Sequence, residues 1–118
     1  MHNRKILVVE DETESREALL QILQIEGYQA VGASNGADAL AHLRNSERPC
    51  VIIVDLYMPV MDGRQFISAL SGSESWASIP VVVVSAVSGC SAAGLNATAI
   101  FQKPLDIDAL MKLVAEYC

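Results

Sequence analysis

The chain has 118 residues, a length that suits one domain over residues 1–118 and not two. Apolar residues make up 52%, at or slightly above the roughly 45–50% of globular proteins, which argues against a disordered segment. A formal charge of -6 argues against nucleic-acid or anionic-membrane binding, since both need a basic surface.

Taken in order, short apolar runs alternate with amphipathic stretches, the pattern of a parallel sheet covered by helices on both faces. Met1-His2-Asn3-Arg4-Lys5 runs directly into a first strand, Lys5 to Val9, leaving no room for a signal peptide. A helix follows from about Thr13 to Glu26, with Leu19, Ile22, Leu23 and Ile25 on its expected buried side and Gly27 as its stop. Gln29 to Ala33 reads as the second strand. The second helix starts near Asn35-Gly36 and carries Ala37, Leu40, Ala41 and Leu43, with His42 expected on its solvated surface. Pro49 precedes a third strand, Val51 to Val54, whose β-branched run suits burial on both faces.

Asp55 closes that strand, and the Pro59 and Asp62-Gly63 punctuation then turns the chain. A helix over about Gly63 to Leu70 directs Phe66, Ile67 and Leu70 inward. Ser71 to Ser78 is a loop, and Pro80 opens a fourth strand, Val81 to Val84. From Val87 to Leu95, two glycines and the serines dilute any helical signal, so a short or irregular helix is expected. The fifth strand spans about Ala99 to Gln102. The final helix has Asp106 as its N-cap, Leu105 and Leu110 as a staple, and Ile107, Leu110, Met111 and Val114 on one stripe. Cys50, Cys90 and Cys118 lie far apart without metal-type spacing, which suggests reduced thiols in a cytoplasm. No apolar run approaches the roughly 20 residues of a membrane span.

The polar residues that matter stand at strand ends. Glu10-Asp11-Glu12, Asp55, Ser85 and Lys103 end strands one, three, four and five, and parallel strands deliver their ends to one sheet edge. Singly, each has an ordinary explanation: an acidic turn favouring a helix dipole, a turn acid, a strand terminator, a surface lysine. Together, Glu10, Asp11 and Asp55 would repel one another unless they bind a cation or take up protons. Oxygen ligands with room for water suit Mg2+. A cation there would leave Asp55 able to attack a phosphoryl group, with Lys103 offsetting charge, Ser85 donating a hydrogen bond and Ala86 leaving space.

These elements, Ile6-Leu7-Val8-Val9-Glu10-Asp11-Glu12, Asp55-Leu56-Tyr57-Met58-Pro59-Val60-Met61-Asp62-Gly63, Val84-Ser85-Ala86 and Lys103-Pro104, resemble the receiver domain of bacterial response regulators. The resemblance spans nearly the whole chain in the family's order. It implies an α/β fold of three layers, a flavodoxin-like doubly wound parallel sheet of five strands in the order 2-1-3-4-5. It further implies that Asp55 is the phosphoacceptor. Asp11 and Asp55 would be direct Mg2+ ligands, Glu10 a ligand through water, and the Tyr57 backbone carbonyl the third protein ligand. Ser85 and Lys103 would contact the phosphoryl group. The implied donor is a phosphohistidine on a histidine kinase or histidine phosphotransfer protein. Output would go to a downstream protein or to an effector domain outside the chain, which ends at Cys118 without a tail, as a piece cut from a longer regulator would. A cytoplasmic monomer or weak dimer that catalyses its own phosphorylation and dephosphorylation fits this picture.

Three positions depart from the family. Ile100 stands where the family usually has an aromatic switch, and Phe101 faces the opposite side of the strand. The Ser85–Lys103 spacing is about one helical turn short, with the shortfall in the weak 87–95 stretch. Asn96 replaces a frequent glycine, a change that the left-handed conformation tolerates. Tyr57, at the mouth of the site, is expected to hinder the water that hydrolyses the acyl phosphate. The alternative functions are a degenerate receiver that binds proteins without phosphorylation, a small phosphatase and a flavin-binding module. The phosphatase lacks a second acid among Leu56, Tyr57 and Met58, and the acidic edge would repel a flavin's phosphate.

Overall fold

The central strands form where β-branched residues run together, and three of the four described helices begin where a polar side chain accepts from a free backbone N–H group. The computed structural model describes residues 5–56, 60–85 and 97–118. Five strands, β1 (Lys5–Val9), β2 (Gln29–Ala33), β3 (Val51–Asp55), β4 (Val81–Ser85) and β5 (Ala99–Gln102), pair in parallel in the order β2-β1-β3-β4-β5. The described helices are α1 (Thr13–Ile25), α2 (Gly36–Asn45), α3 (Gly63–Ser71) and α4 (Ile107–Tyr117). This is the doubly wound α/β arrangement expected from the sequence. The expected irregular helix at 87–95 and Asn96 lie outside the described residues.

Alternate side chains of the central strands feed two cores. Leu7, Val9, Ile52, Val54, Val81 and Val83 pack with α2 and α3 through Leu40, Leu43, Phe66, Ile67 and Leu70. Ile6, Val8, Val51, Ile53, Val82 and Val84 pack with α1 and α4 through Leu23, Leu110 and Val114. The three central strands are therefore apolar at nearly every position, as a sheet buried on both faces requires.

The helix termini follow local chemistry. The Asn35 side chain accepts from Asp38 N–H at 2.9 Å, and Asp106 accepts from Ala109 N–H at 3.1 Å. Asp62 and Gln65 form a reciprocal capping box at the start of α3. Gly27 stands at φ 92°, where a side chain would be strained, just past the end of α1.

Two expectations are corrected. Ile25 is 82% exposed rather than buried. It lies two residues from the buried Leu23, about 200° round the helix, so Leu20 completes the inward stripe instead. The second correction concerns the thiols: Cys50 and Cys118 form a disulfide with Cα atoms 5.6 Å apart. Cys50 precedes β3 and Cys118 ends α4, and the helix returns across the sheet to bring them together. Cys90 lies outside the described residues. His42, expected on the solvated surface of α2, is partly exposed there.

The bridge closes a sequence separation of 68 residues. Reduction is expected to lower the unfolding free energy by about 2–4 kcal/mol, by restoring freedom to the unfolded chain. Guanidinium midpoints with and without dithiothreitol measure this, with Cys118→Ser matching the reduced protein. An unchanged midpoint would contradict it.

Candidate functional site

The carboxyl ends of β1, β3, β4 and β5 meet at one edge of the sheet. Backbone pairing sets the placement: Val9 pairs Val54, Asp55 pairs Val84, and Ser85 pairs Gln102. Glu10 N–H donates to Ala33 O at 3.0 Å, and Lys103 N–H donates to Ser85 O at 2.8 Å. These two bonds continue the ladder one residue past each strand, so the functional side chains project from a fixed backbone.

Carboxylate oxygens of Glu10, Asp11 and Asp55 lie within 4.8 Å of one another. Glu10 is buried, Asp55 half-buried and Asp11 exposed. Lys103 Nζ donates to Asp55 Oδ2 at 3.1 Å and to Glu10 Oε1 at 3.3 Å. The one ammonium therefore ties β5 to both β1 and β3 across the sheet. Burial opposes its charge, but hydrogen bonds and attraction from Asp55 and Glu10 outweigh burial and push the Lys103 ammonium above its ordinary pKa. Glu10 is driven the other way from an ordinary acid. Burial, then its hydrogen bond and repulsion with Asp55, raise it from 4.5 to about 8, against the opposing pull of Lys103.

The expected site residues Glu10, Asp11, Asp55 and Lys103 are thus brought together. Ser85 is buried at the end of β4, one position beyond the residue paired with Asp55. Tyr57 and Ala86 lie outside the described residues.

The loop after Asp55 is locked from below. Gly63 N–H donates to Leu56 O at 2.9 Å, and a Cβ on Gly63 would stand 2.5 Å from Asp55 O. Only a glycine lets α3 begin this close to the Asp55 backbone. Gly36 N–H donates to Met61 O at 3.0 Å and couples the start of α2 to the same loop. Val60 has φ 68°, a strained conformation for a β-branched residue, and the residue is 82% exposed. The Lys103–Pro104 peptide bond is cis.

Sequence reasoning missed Arg16, whose Nη1 donates to Glu10 O at 2.8 Å. No motif announces it. The Asp62–Gln65 capping box was also missed, although an acid followed three residues later by Gln is a readable signal. Beneath the acidic edge, a pocket opens between α1 and the segment entering α4. Ala18, Leu19, Ile22, Leu105 and Ile107 line it together with Asp55 and Lys103.

Fold and site together define a doubly wound α/β domain with three carboxylates and a lysine gathered at the carboxyl edge of its sheet. The chain belongs to the response regulator receiver domain family, whose sequence pattern it matches over residues 6–115. It is 32% identical to sporulation initiation phosphotransferase F of Bacillus subtilis, over 99% of this chain and 95% of the relative. The structure is similar to a response regulator receiver protein from Pseudomonas putida, with a TM-score of 0.91, 31% identity and 98% of each chain covered. It is also similar to the response regulator protein TrrA of Thermotoga maritima, determined in complex with Mg(2+)-BeF. That match has a TM-score of 0.83 and 27% identity, covering 98% of this chain and 99% of the other.

The donor set fits a hard divalent cation. All three side chains offer carboxylate oxygen, and Asp11 is open to solvent, which leaves room for water ligands. A pH dependence follows. Below about pH 4.5 Glu10 is protonated in both folded and unfolded chains. As pH rises toward about 8 the unfolded chain releases that proton while the folded chain retains it, so this group's contribution to stability is lost. In EDTA the thermal midpoint is expected to fall between about pH 5 and pH 8.5, and Glu10→Gln should flatten the fall. Added Mg2+ should restore stability most at the alkaline end, because the cation favours the ionised acid. Parallel profiles for wild type and Glu10→Gln would refute the assignment.

Proposed function

We propose that this chain accepts a phosphoryl group from a phosphohistidine onto Asp55, with Mg2+, and that the product switches a protein-interaction surface. The observation that carries the reading is the Lys103 ammonium 3.1 Å from Asp55 Oδ2, beside carboxylates gathered within 4.8 Å. An Asp55 oxygen attacks phosphorus. The new P–O bond forms as the P–N bond breaks, and the electron pair returns to the imidazole nitrogen. Lys103 offsets charge on the phosphoryl oxygens. The Ser85 hydroxyl donates a hydrogen bond to one of them, and Ala86 leaves room for it. Asp11, Asp55 and the Tyr57 carbonyl would hold Mg2+ directly and Glu10 through water, and the ion would supply further charge neutralisation. Hydrolysis of the acyl phosphate reverses the state, with the Tyr57 ring limiting access of water.

The donor is a histidine kinase or a histidine phosphotransfer protein, and the output is a downstream protein or a separate effector domain. The strand positions suit an unusual switch. Ile100 is 40% exposed on the outer side of β5, whereas Phe101 packs toward the α1 and α4 core. Switching therefore proceeds without the rotation of an aromatic ring at position 100. A cytoplasmic setting as a monomer or weak dimer completes the proposal. The Cys50–Cys118 bridge is compatible with it as a bond that opens in a reducing compartment. None of the described helices is long and apolar enough to cross a membrane.

Incubation with acetyl phosphate and Mg2+ tests the reading. Wild type is expected to gain one phosphoryl group and Asp55→Asn none, with Lys103→Ala about 100-fold slower, as for loss of one charge-stabilising donor. A wild-type protein that takes up no phosphate, yet binds its partners as well as Asp55→Asn does, would establish the phosphorylation-independent module instead.

A further inference from the structure

The acidic turn after β1 carries Glu10, Asp11 and Glu12 in succession, and it stays folded against Asp55 despite their mutual repulsion. Backbone contacts explain how. Glu10 is gripped at both ends: its N–H donates to Ala33 O at 3.0 Å, and its carbonyl accepts from Arg16 Nη1 at 2.8 Å. The second bond fixes the plane of the Glu10–Asp11 peptide, and so the direction in which Asp11 leaves the strand.

Arg16 is itself built into place. It is half-buried, and its backbone N–H donates to Glu12 O at 3.0 Å in the first turn of α1. Its stem lies over Gly32 of β2, where an added Cβ would come within 3.0 Å of Arg16 Cδ and 3.2 Å of Cγ. Gly32 thus forms the floor of a slot, the stem fills it, and the guanidinium reaches the carbonyl. Because the bond goes to a backbone carbonyl, it takes up no carboxylate oxygen that a cation needs.

We propose that Arg16 is a positioning residue for the cation site: through the Glu10 carbonyl it holds Asp11 and Glu10 in the orientation in which they bind Mg2+. The proposal rests on the reading that this acidic cluster takes Mg2+. It assigns affinity for the ion to a residue that touches neither ion nor phosphoryl group.

The test is Mg2+ binding by calorimetry on the full chain, with unfolding midpoints measured alongside. Arg16→Met keeps a stem of similar shape in the slot and removes the donor. It is expected to weaken Mg2+ binding about tenfold, as loss of an outer partner of a metal ligand does. Arg16→Lys keeps stem and donor, and should recover most of that affinity, since a single bond to a carbonyl needs no planar fork. Gly32→Ala, which crowds the stem, should weaken binding with Arg16 still present. Mg2+ binding by Arg16→Met equal to wild type would overturn the proposal. So would Arg16→Lys binding as weakly as Arg16→Met, or a loss of affinity in Arg16→Met matched by an equal fold loss in the folding constant. Should wild type itself bind no Mg2+, the failure belongs to the underlying reading of the cluster and overturns this inference with it.

Discussion

Three carboxylates held within 4.8 Å of one another at one sheet edge set the terms for everything around them. Like charges at that spacing repel, and burial of Glu10 adds a desolvation cost. Lys103 offsets part of it by bonding two of the three acids at once. Burial and the neighbouring Asp55 still push the Glu10 carboxyl up to about 8. Gathered carboxylates of this kind suit a divalent cation, and the phosphorylation proposed at Asp55 would change the charge within the same cluster.

The scaffold is organised so that repulsion cannot relax. Parallel pairing carries Glu10, Asp55, Ser85 and Lys103 to the same edge, and ladder bonds to Ala33 O and Ser85 O extend the fixed backbone past the strands. Beneath Asp55, Gly63 lets α3 start against the strand end, and the Asp62–Gln65 box closes that helix terminus. The Cys50–Cys118 bridge fastens the end of α4 to the start of β3. Stability is thus provided by the two apolar layers, with the bridge adding to it while oxidised, and the functional edge carries the electrostatic cost.

Much of this was legible in the sequence, for physical reasons that differ by element. The runs of valine and isoleucine in β3 and β4 permit little but buried strands, and Asp106 and Asn35 mark helix starts by their chemistry. Glu10, Asp11, Asp55 and Lys103 could be gathered on paper because parallel strands share an edge. Other features require coordinates. Ile25 looks buried when apolar residues are counted and exposed when their angles are followed. The disulfide joins residues 68 apart, and no local pattern encodes such a pairing. Arg16 bonds a backbone carbonyl, an acceptor every residue offers, so nothing in its neighbours' identities reveals the contact.

The central claim is that Asp55 itself becomes the acyl phosphate. Borohydride trapping tests it most directly, since the hydride reduces an acyl phosphate to the alcohol and leaves free carboxylates intact. After exposure to a small phosphodonor with Mg2+, peptide mass spectrometry should find homoserine at position 55 and an unmodified acid at positions 10, 11 and 62. Reduction at one of those other acids, or phosphate retained on a histidine or serine with Asp55 unaltered, would contradict the account.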